Sequence, residues 1–393
     1  MPSRLFALCL AAIVLIGPLS VHLFLPAIPV VKAEFGLSDA TAQLTFTIGI
    51  LAMALSTLAY GTLADRYGRR PVLLSGLALF LAGSAIAATS ASLPMLMLGR
   101  ITQCIGAGCG TTLVRTIARD AYGQAQLAKA IAYLTMFYTL GPMIAPLTGG
   151  FLIDISGWRA SFVFAFGLGC VITAGAWWMV HETHTGTRRK LDGVAVLRSY
   201  IEPFRNARFA AYVAQTGLSS GVFFALTAAV AVIMKEQLGR SSAEYGLYFL
   251  SFPLGFLCGN LISSRIAGRA GIERMVLAGS VMLMFAVTLQ SGLLLAGVIT
   301  PLALFGPGFL ITMAQGIALP SAQSAAIALV PSSVGTAAGL GVFTQMFLGA
   351  LTAQLYGMIA STSAVPLVIV MMTASALALV CGAVPTWLSR KLR

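Results

Sequence analysis

The chain has 393 residues, of which 58% are hydrophobic and only 9% are charged, against about 25% charged in an ordinary water-soluble domain. That balance excludes a soluble globular fold. The net charge of +13 does not point to a nucleic-acid partner, because the basic residues fall in short breaks between long apolar runs.

Residues 5–31, 40–64, 71–99 and 209–234 each run without a Lys, Arg, Asp or Glu. About 20 apolar residues cross a hydrocarbon core of roughly 30 Å. The period-two alternation of a membrane β-barrel, in strands of about 10 residues, is missing. Arg4 followed by an apolar run has the look of a secretory leader. The run continues past Pro29 without a small-residue cleavage site, so it is read as a retained first helix, 5–30. Further spans are expected at 40–60, 71–90, 94–116, 131–153 and 161–180, then at 209–232, 244–262, 275–296, 300–320, 336–358 and 364–386. The expected fold is an all-α membrane protein with twelve transmembrane helices in two pseudo-symmetric six-helix bundles, 1–182 and 208–393, joined by a cytoplasmic linker, 183–207.

Placing the amino terminus inside puts eighteen Lys and Arg residues on the inner side. Lys32, Arg159, Lys235 and Arg240 fall outside, and Arg100 and Arg115 lie within a span. An excess of basic residues marks the cytoplasmic side, so both termini are expected there. The six cysteines (Cys9, Cys104, Cys109, Cys170, Cys258, Cys381) all fall in apolar segments without metal-ligand spacing, and are read as small buried hydrophobes. No metal or cofactor is expected.

After the second span the chain reads Gly61-x-Leu63-x-Asp65-Arg66-x-Gly68-Arg69-Arg70. A weaker echo, from Gly259 to Arg269 by way of Leu261, Arg265 and Gly268, follows the eighth. A repeated six-helix unit is the build of a rocking transporter. Gly61 is expected to allow close helix approach, and Asp65 to pair with a loop Arg or face a helix amino terminus. At these residues the chain resembles the major facilitator superfamily. In that family this loop latches the two halves on the cytoplasmic side, a role the resemblance extends to Gly61, Asp65, Arg66, Gly68, Arg69 and Arg70.

Other segments narrow the resemblance. Leu19 to Pro29 in the first helix, Arg100-x2-Gln103 in the fourth, Arg119-Asp120, and Gly157-Trp158-Arg159 all look like the drug:proton antiporter branch, within it the Bcr/CflA subfamily of bicyclomycin and chloramphenicol exporters. Gly141, Pro142, Pro146, Gly149 and Gly150 are similar to that branch's helix 5 antiporter motif. Physically, two prolines and three glycines give a helix that bends and packs tightly.

Two departures matter. His22 stands where the family has an Asp, and Cys104 where it has a Gly. All eleven acids fall in loops or at helix ends of the expected spans, so lipophilic cations are expected to be poor substrates. His22 and Arg100 remain in the apolar region, where a charge costs about 2.5–3.5 kcal/mol on the insertion scale. His22 is either the proton carrier, since imidazole titrates near neutral pH, or a neutral, hydrogen-bonded interface residue. Arg100 either orients substrate through its fork of donors or ties helices together, and Arg115 snorkels to the headgroups. Further substrate-site candidates are Gln103, Tyr138, Gln215, Phe223, Phe224 and Gln315, since such a pocket is mostly apolar with a few directing donors.

No Walker-type loop and no His-Glu-x-x-His occurs, and no enzymatic activity is expected. His181 and His184, at the linker, are read as solvated. The expected function is export of small neutral or anionic antimicrobial compounds in exchange for protons, across a bacterial inner membrane and as a monomer. Export or facilitation of a metabolite such as a nucleoside or amino-acid derivative stays open, as does a non-transporting membrane sensor.

Overall fold

A computed structural model describes residues 4–183, 193–331, 334–360 and 363–391. His184, the linker bases Arg188, Arg189 and Lys190, and Arg393 lie outside them. Every described regular element is helical. The first half of the chain contains α1 (Arg4–His22), α2 (Ile28–Phe35), α3 (Asp39–Tyr67), α4 (Arg69–Ala88), α5 (Leu93–Ser156) and α6 (Arg159–Met179). The second contains α7 (Gly193–Ile201), α8 (Ala207–Glu236), α9 (Ser242–Phe249), α10 (Ser251–Ala270), α11 (Ile272–Leu295), α12 (Pro301–Ala328), α13 (Val334–Ile359) and α14 (Val365–Lys391).

Three expected boundaries are corrected. The first span is not one helix. α1 stops at His22, a 3-10 turn covers Leu25–Ala27, and α2 resumes at Ile28. Pro26 has no N–H to offer the His22 carbonyl, so the helix cannot continue through it. The eighth span is likewise split at Leu250 into α9 and α10, three residues before Pro253. The fourth and fifth spans, conversely, share the single 64-residue element α5.

That element folds back on itself. A Cβ on Gly110 would lie 2.5 Å from the Ile13 carbonyl oxygen, and one on Gly141 would lie 2.4 Å from Pro18 Cβ. On a straight helix Gly110 and Gly141 would be about 46 Å apart, yet both press on the same short stretch of α1. From Ile13 to Ser20 the α5 partners descend from Gly110 to Arg100, whereas from Pro18 to Leu23 they climb from Gly141 to Gly149. The first crossing is therefore antiparallel to α1 and the second parallel. Among the described residues eleven segments are long and apolar enough to span a membrane, and the first crossing of α5 brings the number to twelve.

The chain forms two compact units. One comprises Met1–Leu37, Ile48–Leu191 and Ser241–Leu247, the other Ser38–Thr47, Asp192–Arg240 and Tyr248–Arg393. In the first, α1, α4 and α6 pack around α5; in the second, α8 packs on α12, α13 and α14, and α11 on α12 and α14. Lipid offers helices no hydrophobic drive to associate, so close backbone approach takes over. A Cβ on Gly259 of α10 would sit 2.1 Å from the Met313 carbonyl oxygen of α12. Large apolar side chains such as Trp177, Trp178, Phe285 and Leu302 point outward. Cys170 and Cys258 are also exposed, against the expectation of burial, because they lie on outward helix faces.

Candidate functional site

The break after α1 is where the first unit concentrates its buried polarity. The last hydrogen bond at the end of α1 runs from Leu23 N–H to the Leu19 carbonyl. The next carbonyl, Ser20, accepts from Arg100 Nη1 at 2.8 Å. Arg100 thus supplies both a donor and a positive charge at the carbonyl end of a helix, where each is favourable. The same Nη1 donates to Gln103 Oε1 at 2.8 Å, and Gln103 Nε2 donates to Ser84 Oγ of α4 at 3.0 Å. The guanidinium carbon lies 4.5 Å from the Phe24 ring centroid and 5.9 Å from that of Phe162, within cation–π range. Arg100 is 1% exposed and His22 7%. Among the described residues no carboxylate pairs with the guanidinium; a helix end, an amide and two rings hold it. His22 is the last residue of α1, between the Ser20 and Phe24 that Arg100 touches. The structure therefore brings Arg100 and Gln103 together at the helix break, and His22 is the buried last residue of that helix.

The basic loop forms a second centre in the same unit. Gly68 precedes α4 at φ 101°, a conformation only glycine takes readily. Arg69 is held by Asp65 (Nη1–Oδ1 2.6 Å) and by Asp120 of α5 (Nε–Oδ2 3.3 Å). Glu182, just beyond α6, receives the Arg69 and Arg70 backbone N–H groups at 2.9 and 3.2 Å. A carboxylate thus sits on the amino terminus of α4, where the helix dipole favours it. Arg70 Nη2 donates to the Trp177 carbonyl at 3.0 Å, with its guanidinium over the Trp177 ring. The expected close approach at Gly61 is not found: a Cβ there would meet nothing within 4 Å. Tight packing belongs instead to its echo, Gly259.

The Gly141–Gly150 stretch packs on two sides. Gly141 and Gly149 press on Pro18 and on the Leu23 carbonyl of the first span, and a Cβ on Gly150 would lie 2.2 Å from the Ser242 carbonyl oxygen. The Pro146 carbonyl in turn faces Gly246. One turn beyond Gly150, Asp154 accepts from the Ser242 and Ala243 N–H groups at 3.1 and 2.8 Å, capping α9. Ser241 and Glu244 complete a reciprocal capping box on that helix.

The sequence matches the Major Facilitator Superfamily over residues 10–353. The chain belongs to that superfamily. Among similar proteins is "Multidrug resistance protein D" of Escherichia coli K12, 29% identical, with 90% of this chain and 89% of that protein covered. A bicyclomycin resistance protein homolog of Haemophilus influenzae is 24% identical over 93% of this chain and 92% of its own length. Multidrug resistance protein MdtL of E. coli is 26% identical, with 94% and 95% covered. The fold matches the crystal structure of a bacterial homolog of the human lysosomal transporter Spinster, with a TM-score of 0.73, 18% identity, and 96% and 95% of the two chains covered. This facilitator is a multi-pass transporter of a small molecule and not an enzyme.

The second unit of this facilitator arranges its candidates without charge. Gln215 Nε2 donates to Ser219 Oγ at 3.3 Å and to Ser280 Oγ of α11 at 3.1 Å, and Gln315 Nε2 of α12 donates to the Ser219 carbonyl at 2.6 Å. Both glutamines converge on Ser219 of α8 and are buried. Phe223 and Phe224 are edge-to-face neighbours with centroids 5.4 Å apart, and Phe223 continues into Phe249, Phe252 and Phe305. Tyr138 of α5 is half-buried in the other unit. Sequence reasoning missed Asp120 and Glu182 as partners of the basic loop, Ser20 as the acceptor for Arg100, Asp154 as the cap of α9, and the Phe249–Phe252–Phe305 extension. Only the Arg119-Asp120 pair had drawn notice, and without a partner.

Proposed function

We propose that this facilitator exports small neutral or anionic amphiphiles of antimicrobial type, chloramphenicol- or bicyclomycin-like, in exchange for protons by alternating access. It does so in a bacterial inner membrane with both termini cytoplasmic. One observation carries the reading: among the described residues, the buried side chains of fixed charge are Arg69 and Arg100, and no Asp or Glu joins them. A lipophilic cation would find no counter-charge, and a buried charge without a partner is costly. A neutral, carbonyl-rich molecule carries no charge to bury, and an anion has the buried Arg100 to offset its own. The drug-resistance names of its relatives support drug export.

In this reading the substrate-binding residues are Arg100, Gln103 and half-buried Tyr138 in the first unit, and Gln215, Phe224, Gln315 and half-buried Phe223 in the second. His22 carries the proton. Its protonation adds a second positive charge at the α1 break that Arg100 already occupies, so loading and unloading a proton alters the energy of that break. The loop from Gly61 to Arg70 acts as the conformational latch, and Gly141, Pro142, Pro146, Gly149 and Gly150 let α5 bend against α1.

The test is substrate-induced proton release from inside-out vesicles with an acid interior. The panel holds a chloramphenicol-like neutral, an anion and a lipophilic cation. Neutrals or anions are expected to discharge the gradient, the cation to leave it intact, and His22→Gln to abolish the response. Discharge by the cation alone sinks the substrate class. Transport without discharge in the wild type sinks the role of His22.

A further inference from the structure

The segment leading into α8 carries a feature that neither transport nor the latch uses. In α7 and the 3-10 turn Glu202–Arg205 that follows, Leu197, Ile201 and Phe204 are 60%, 58% and 40% exposed. They recur at four- and three-residue spacing, which sets them along one side of the segment. Arg198 and Arg205 are exposed beside them, each one residue further on, so a basic stripe runs along the apolar one. Glu202, also exposed, is the sole acid between residues 193 and 208. Arg208 is engaged with Glu273 and does not join the stripe.

The opposite side is anchored. Tyr200 packs against the core of Phe209, Tyr212 and Val276, and Pro203 is buried. Asn206 then caps α8, accepting from the Arg208 and Phe209 N–H groups at 3.0 and 3.4 Å. The stripe is thus fixed to the first turns of a membrane-crossing helix, and cannot stand far from the level at which that helix enters the bilayer. A short helix with an apolar side, a basic flank and that height has the chemistry of an interfacial helix. Its apolar face sinks to the boundary of headgroups and acyl chains, and its cations meet anionic headgroups.

We infer that residues 197–205 form a lipid-binding surface. Leu197, Ile201 and Phe204 insert beneath the headgroups, and Arg198 and Arg205 bind the phosphates of anionic lipids. The occupant is the membrane itself, because the exposed stripe combines apolar and cationic chemistry at the height where the bilayer supplies the complements of both.

Nitroxide labels test this on the full chain, reconstituted with the exposed Cys170 and Cys258 replaced by Ala. Labels are placed at Leu197→Cys, Ile201→Cys and, as a comparison, Arg198→Cys. Collision with oxygen, which partitions into lipid, is measured against collision with a water-soluble nickel chelate. The expected oxygen-to-chelate ratio is several-fold higher at positions 197 and 201 than at 198, in vesicles containing phosphatidylglycerol. Equal ratios at the three positions would show a solvated helix, and protection from both reagents at 197 and 201 would show a protein cover; either overturns the inference. The double change Arg198→Gln, Arg205→Gln is expected to lower the ratio at 197 in phosphatidylglycerol vesicles and to leave it unchanged in pure phosphatidylcholine. The same loss in both lipids would remove the anionic headgroup from the proposal.

Discussion

Gly68 enters α4 at φ 101° and ψ 157°, and Gly271 enters α11 at φ 84° and ψ 148°, so the two halves of the chain turn the same corner with the same backbone. The groups that secure the corner differ. Before α4, the carboxylate of Glu182 arrives from beyond α6 and covers two backbone N–H groups, while Arg69 is shared between Asp65 and Asp120. At the start of α11 the acid is in the helix itself. Glu273 pairs with Arg208 of α8 and accepts from Ser389 Oγ, near the end of α14, at 2.7 Å. The acid has moved from beyond the sixth span to the first turn of the helix it serves, and the hydroxyl of Ser389 stands near the end of the second half's last span. A repeated architecture thus keeps its stereochemistry and redistributes its charge. The same contrast holds deeper in: an arginine caps a broken helix in one unit, and neutral glutamines and serines tie α8, α11 and α12 in the other.

The sharpest way to break this comparison lies at the paired glycines one step earlier. Gly259→Ala would force a methyl to within 2.1 Å of the Met313 carbonyl oxygen and 2.9 Å of Gly316 Cα. Both are backbone atoms that move only with their helix, and overpacking of that kind costs about 1–3 kcal/mol or more. Gly61→Ala meets nothing within 4 Å, and is expected to stabilise α3 by about 0.5–1 kcal/mol through helix propensity. Thermal unfolding in detergent should therefore move in opposite directions for the two variants. A large loss at Gly61 would show that it is a packing site after all.

The corner glycines come next. Both occupy a region costing other residues about 1–3 kcal/mol. A Cβ on Gly271 has free space, whereas one on Gly68 would lie 2.5 Å from Glu182 Oε2. Gly68→Ala should destabilise more than Gly271→Ala, and the excess should vanish when Glu182 is also changed to Ala. Equal midpoints for the two single variants would mean that Glu182 yields freely and secures little.

How much of this could be read beforehand depends on the distance over which each interaction acts. The spans were legible because hydrocarbon demands about 20 apolar residues in a row, a purely local requirement. The glycine-rich loop was legible for the same reason. The partners were not: Glu182 is 113 residues from Arg69, Asp120 is 51 from it, and Ser280 is 65 from Gln215. Nothing in those residues' own neighbourhoods announces them. Pro26 marks the break in the first span, but an unbroken apolar run from 5 to 30 reads as a single helix. Arg119 and Asp120 look like a loop in sequence, yet the chain passes them as helix. The echo was aligned on Gly268, which makes no turn; Gly271 takes the corner, because register follows φ and not the spacing of arginines.

The smallest effects test the exchange of acid and hydroxyl itself. Glu182→Gln keeps an acceptor at the amino terminus of α4 and removes the charge, and should cost about 0.3–1 kcal/mol, the usual worth of a carboxylate at an exposed helix start. Because that interaction is electrostatic and open to solvent, the loss should shrink as ionic strength rises. Ser389→Ala removes one hydrogen bond from Glu273, worth about 0.5–1.5 kcal/mol net, while the Arg208 pair remains. Its cost should be largely indifferent to salt. Melting both variants at low and high salt separates the two corners: a salt-dependent loss confined to Glu182→Gln means that α4 is held by charge and α11 by geometry. The same salt response in both variants would show that the two corners are secured alike despite their different residues.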